Sequence, residues 1–138
     1  MKALFDTNII VDVLANRTDF YEFSFKSLAI CDGNICQSCI TSNTVTDIAY
    51  ILHRYGKNQE EVKSLLTKLF FIVEILDVNA TDCTNAIHSA VLDFEDAVLA
   101  ECAERHFVDF IITRNPKDYK KSSIPCISPY DFVQKFSN

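Results

Sequence analysis

At 138 residues, 49% of them hydrophobic, and with a formal net charge of −6, the chain is long enough for one domain with a real core and too short for two. That apolar content excludes a disordered or fibrous chain, and apolar runs such as 69–73 fall far short of a membrane span. The acidic balance does not advertise a nucleic-acid surface, which needs clustered Lys and Arg; it reads as solubility, or as carboxylates converging on a cation.

In chain order, residues 2–5 are a strand candidate, and 8–14 begin a helical pattern with Asn8 or Thr7 as its cap. Asp6 comes too early for a secretory signal, so no export is expected and the chain reads as cytoplasmic. A second helix over 21–31 is stopped by Asp32-Gly33-Asn34, and 36–40 is a short strand. The pattern predicts a helix over 43–55, with Gly56 just past its end. Asn58 with Glu61 forms a capping-box spacing that opens a helix over 59–70. Residues 71–76 are β-prone, 81–91 and 95–106 read as helices, and 109–113 as a buried strand. A last strand at 126–127 precedes a helix over 129–136. Strands alternating with helices through short connections predict an α/β domain spanning 1–138, with a mostly parallel sheet. The six cysteines (31, 36, 39, 83, 102 and 126) read as reduced, small hydrophobes. Cys36-x-x-Cys39 has the spacing of a zinc or redox pair, but both fall in one short strand with no second Cys/His pair nearby, which argues against zinc.

Chemistry in a parallel sheet gathers beyond the carboxyl ends of the strands. Asp6 stands at such an end, and Thr113-Arg114-Asn115 is the polar exit from the strand over 109–113. Two further acid sites lie on helices: Asp47 in a mostly apolar helix, and Asp93 with Asp96 on one helical face near an N-terminus. Each has an ordinary reading alone, Asp93 as an N-cap, Asp96 as a first-turn acid and Asp47 as a solvated side chain. With Asp6 and Asn115 added, all of those readings must hold together.

Four blocks in order carry a resemblance: Leu4-Phe5-Asp6-Thr7-Asn8, Thr44-x-x-Asp47, Asp93-Phe94-Glu95-Asp96-Ala97, and the run from Ile112 through Thr113-Arg114-Asn115 to Tyr119. Ser128-Pro129-Tyr130-Asp131-Phe132 adds a C-terminal helix start. Over nearly its whole length the chain resembles a PIN domain, the fold of VapC-type toxin ribonucleases. The resemblance implies a three-layer α/β/α sandwich and hydrolysis of RNA phosphodiesters assisted by Mg²⁺ or Mn²⁺. It places Asp6, Asp47, Asp93, Asp96 and Asn115 at the catalytic centre, with Asp6 and Asp96 on the metal. Asn8 and Thr113 would orient the carboxylates, and Arg114 and Lys117 would hold RNA. It further implies a homodimer and a cognate antitoxin. Two departures stand out: Asp47 replaces the usual Glu and Asn115 an acid, with Asp118 a possible substitute.

A dehalogenase-like phosphatase needs an acid where Asn8 stands, and a receiver domain needs a pair of upstream acids and a late lysine that are absent. The rival that survives is a degenerate PIN fold that binds RNA or protein without cleaving. Arg54, Lys57, Arg105, Lys120 and Lys121 are further candidates to rim a cleft, against a plainer reading as solubilising charge. Tyr21, Phe23 and Phe25 read equally as core, dimer contact or partner groove.

Overall fold

The first apolar run, Lys2–Phe5, is strand β1 of the computed structural model, which describes residues 1–137. Strand β1 pairs with β2 (Gln37–Thr41) on one side and with β4 (Phe110–Ile112) on the other. Outside them lie β3 (Glu74–Leu76) and β5 (Cys126–Ile127), giving the order β3-β2-β1-β4-β5, parallel throughout. Parallel neighbours require crossovers, and helices supply most of them. Helices α1 (Thr7–Leu14) and α2 (Tyr21–Ile30) link β1 to β2; α3 (Ser42–Arg54) and α4 (Gln59–Phe70) link β2 to β3. Helices α5 (Ala80–Ile87) and α6 (Phe94–Arg105) lead to β4. A 3₁₀ turn (Pro116–Tyr119) leads towards β5, which α7 (Pro129–Phe136) follows.

The period-2 alternation of a strand sorts the core into two halves. Ala3 and Phe5 pack with Ile9, Ile48, Leu52 and Phe132 on the face covered by α1–α4 and α7. Leu4 points the other way, into Ala97, Cys102, Ile111 and Tyr119 under α5 and α6. The result is the three-layer α/β/α sandwich with a parallel central sheet. No helix among the described residues is long and apolar enough to cross a membrane.

Several element limits differ from the sequence reading. The cap of α1 is Asp6, whose Oδ1 accepts from the Thr7 N–H at 2.8 Å, rather than Thr7 or Asn8. Helix α2 runs on into a π turn (Cys31–Ile35), so Cys36 precedes β2 instead of starting it. The β-prone run 71–76 yields only Glu74–Leu76, because the N–H groups of Phe71, Ile72 and Val73 bond back to carbonyls of Lys68 and Leu69. Helix α5 stops at Ile87; the Ser89 hydroxyl accepts from the Val91 N–H and turns the chain out of the helix. Of the α2 aromatics, Tyr21 stacks on Phe25 with centroids 5.5 Å apart, and Phe23 meets the edge of Tyr130 in α7 at 5.0 Å.

Candidate active site

The chain moves outward from β1 through β2 to β3, then returns past β1 to β4 and β5. The order therefore reverses between β1 and β4, which opens a crevice at their carboxyl ends. Asp6 and Thr113 leave those two strands side by side, since Phe5 is in register with Ile112 and the Asp6 N–H donates to the Ile112 carbonyl at 3.0 Å. Both carboxylate oxygens of Asp6 are held. Oδ1 takes the Thr7 N–H, and Oδ2 takes the Thr113 hydroxyl at 3.0 Å. Thr113 in turn accepts from the Asn115 N–H at 3.2 Å. Burial pushes the Asp6 carboxyl above its usual range, against the pull of these donors.

Asp96 reaches the same point from the other layer. Asp93 is the N-cap of α6 and accepts from the Asp96 N–H at 3.0 Å, which fixes the first turn of the helix. Between Asp96 and Asp6 stands the hydroxyl of Tyr119, 3.0 Å from Asp96 Oδ1 and 3.5 Å from Asp6 Oδ2. Tyr119 is only 2% exposed, so two carboxylates share one buried donor. Burial, then repulsion from Asp6, Asp93 and Asp118, outweighs the Tyr119 bond and lifts the Asp96 carboxyl to about 6. The Tyr119 hydroxyl, buried beside two carboxylates, is pushed far above its usual range and stays a donor. The sequence reading passed over Tyr119, although it is the single aromatic in the polar run 113–123.

The other expected residues divide. Asp47 lines a recess of about 210 Å³ together with Asp6 and Asp96, and burial raises its carboxyl. Thr44, from the same block, is buried and bonded to the Thr41 hydroxyl at 3.0 Å and to Thr7 at 3.5 Å, which ties α3 to the start of α1. Lys117 lines a second cleft of about 630 Å³ with Asp93, Asp96 and Asp118. Asn8 is exposed and accepts from Arg17 at 3.3 Å rather than orienting a carboxylate. Asn115 lines neither recess, whereas Asp118, three residues on in the 3₁₀ turn, does. Arg114 turns away from the cleft. Its Nε lies 3.6 Å from buried Asp12, and its guanidinium sits 3.8 Å over the ring of Phe20. Asp12 was missed because it reads as one polar position in an apolar helix, the same signal that marked Asp47.

The donor set suits a hard cation. Asp6, Asp93, Asp96 and Asp118 offer only oxygen, and none forms an ion pair with a basic side chain among the described residues. Their mutual repulsion is what a divalent cation relieves. Among the described residues no three acids, histidines or cysteines are grouped closely enough to hold a metal ion. Mg²⁺ keeps several waters and can be bound through one or two carboxylates, a number that Asp6 and Asp96 supply.

No curated protein matches the chain in sequence. Solved structures similar in fold include VapBC2 from Rickettsia felis bound to a promoter DNA fragment, with TM-score 0.71 at 20% identity over 93% of this chain and 98% of that one. A toxin-antitoxin complex from Klebsiella pneumoniae is similar with TM-score 0.67 at 25% identity, again over 93% and 98%. VapC20 of Mycobacterium tuberculosis, a toxin that cleaves the sarcin-ricin loop, is similar with TM-score 0.64 at 13% identity over 79% and 86%. A family model described as PIN domain matches residues 2–117, a span that holds the first three blocks and the fourth as far as Lys117. The chain belongs to the PIN-domain family.

Proposed function

We propose that the chain is a divalent-metal-dependent endoribonuclease and the toxin of a toxin–antitoxin pair. The observation that carries this reading is the convergence of Asp6 and Asp96 on one Tyr119 hydroxyl, at the head of a cleft whose acids form no ion pair among the described residues. Asp6 and Asp96 would hold Mg²⁺ or Mn²⁺, which when bound supplies a Lewis acid for the scissile phosphate. The Thr7 N–H and the Thr113 hydroxyl keep Asp6 aimed at the crevice. Asp93 anchors the turn that presents Asp96, and Asp118 stands in for the acid that Asn115 lacks. The Asp47 carboxylate makes no hydrogen bond or ion pair among the described residues and lines the Asp6 recess, where it is free to accept a proton from an incoming water. The similar structures that are toxin–antitoxin complexes support an antitoxin as partner. A homodimer working in the cytoplasm completes the proposal.

The test is cleavage of a mixed RNA pool by purified protein, in Mn²⁺ and in EDTA. Cleavage that needs Mn²⁺ and is lost in Asp6→Asn is the expected result. A folded parent that binds RNA and leaves it intact at every metal concentration makes the chain a binding module instead.

A further inference from the structure

All six cysteines are free thiols, and the pleat of the sheet sorts those around β2. Cys36, in extended backbone just before β2, joins the core half of Ala3, Phe5 and Leu28, while Cys39 joins the opposite half with Leu4 and Leu76. Residues three apart along a strand face opposite ways, so Cys36-x-x-Cys39 does not close as a pair. The sulfur that meets Cys36 is instead that of Cys31, in the same core half, across the π turn (Cys31–Ile35) that ends α2. The Cys31 thiol donates to the Cys36 sulfur, whose own proton has the Gln37 carbonyl as acceptor at 3.8 Å. Two sulfurs already in hydrogen-bond contact are placed to approach into a covalent bond. The turn between them is of a rare kind that recurs at functional sites.

The pair is buried but not sealed. Cys31 is 5% and Cys36 4% exposed, yet both line a recess of about 410 Å³ at the amino ends of the strands, together with Ile35, Gln37, Phe71 and Ile72. An oxidant near the size of water reaches the sulfurs there without unfolding the chain. The two thiols are also unequal. The bond from Cys31 holds the Cys36 thiol below its usual range against burial, and the same bond, with burial, pushes Cys31 far up. We propose that Cys31 and Cys36 form a redox site, in which Cys36 is oxidised by a hydroperoxide and Cys31 resolves it to a disulfide. The Cys36 sulfur attacks one oxygen of hydrogen peroxide; the O–O bond breaks, a sulfenic acid forms, and the other oxygen leaves as water with the thiol proton. The Cys31 sulfur then attacks the Cys36 sulfur, the S–O bond breaks, and a second water carries off the Cys31 proton as the S–S bond forms. Both electrons come from the sulfurs and both go to the peroxide, and a dithiol reductant reverses the change by taking the disulfide itself. The pair lies at the opposite edge of the sheet from Asp6, so the site is independent of the ribonuclease reading.

The test is peptide mapping of the reduced full chain after hydrogen peroxide, then alkylation, with a parallel sample oxidised in dimedone to trap sulfenic acid. Cleavage ahead of aspartates cuts at Asp32 and so separates Cys31, in residues 19–31, from Cys36 and Cys39, in residues 32–46. The expected product is a chain of monomer mass in which these two peptides are joined through Cys36, with Cys39 alkylated and the link lost in dithiothreitol. Cys31→Ser should lose the link completely and gain a dimedone adduct on Cys36, whereas Cys39→Ser should keep the link. Melting curves check that each variant is folded, and the map of the parent decides by itself whether the bond forms. A parent whose Cys36 remains fully alkylated while exposed Cys83 is oxidised overturns the proposal. So does a link through Cys39, or a folded Cys31→Ser protein with no adduct on Cys36.

Discussion

A tyrosine hydroxyl has one proton, and Tyr119 faces two carboxylates. At 3.0 Å the bond to Asp96 is the better made, so Asp96 has most of this donor and Asp6 relies on Thr7 and Thr113. The Tyr119 bond lowers the Asp96 carboxyl, so Tyr119→Phe should raise it further. In cleavage assays across pH, the acid limb of that variant should move to higher pH; an unmoved limb would show that Asp96 does not titrate in the rate. Asp96 also makes a prediction for the metal-free protein. Its folded value of about 6 lies above the ordinary carboxylate value, so the stability it contributes is present at low pH and is lost as pH rises through about 6. Asp96→Asn does not ionise and escapes that loss. In EDTA the melting temperature of the variant relative to the parent should therefore climb between about pH 4 and pH 7. A flat difference would mean that Asp96 is neither buried nor repelled as described.

Among the elements, α1 carries more than the cap that places Asp6. Its fully buried Asp12 accepts from the Ser24 hydroxyl of α2 at 3.0 Å and pairs with Arg17 at 3.3 Å and Arg114 at 3.6 Å. One carboxylate thus ties α1 and α2 to the exit of β4, the segment that delivers Thr113. Burial pushes the Asp12 carboxyl up, and Ser24 and the two guanidinium groups pull it back. Asp12→Asn leaves two arginines without their counter-charge. Because both arginines keep some solvent access, the expected cost is about 2–3 kcal/mol, or roughly 10 °C in melting temperature. A loss under about 0.5 kcal/mol in chemical denaturation would class Asp12 with ordinary surface positions. The far end of α6 is fixed in the same manner by Arg105, whose Nε donates to buried Asp82 at 2.9 Å, so α6 is anchored at one end and presents Asp96 at the other.

Over the whole molecule, the legible features were those that local chemistry decides. The Asn58–Glu61 capping box and the Ser128-Pro129 helix start are written within four residues each, and both stand as read. The start of β3, the stop of α5 and the π turn after α2 were not legible, because they depend on which carbonyl a given N–H reaches. The site followed the same division. Asp6, Asp93 and Asp96 could be read because strand ends and helix caps have sequence signatures. Tyr119 and the diversion of Arg114 to Asp12 could not, because each joins residues far apart in the chain through a fold that no local pattern encodes. What unifies the molecule is the reversal of strand order beside β1, which gathers acids from α6 and the 3₁₀ turn around Asp6 without neutralising them. The direct test of that arrangement is a thermal melt of the parent, Asp6→Asn and Asp118→Asn across a Mn²⁺ titration. The parent should gain stability as metal is added, in proportion to RT ln(1 + [Mn²⁺]/Kd), Asp118→Asn should need more metal for the same gain, and Asp6→Asn should not respond. A parent melting temperature indifferent to Mn²⁺, or an equal gain in Asp6→Asn, would contradict the metal site.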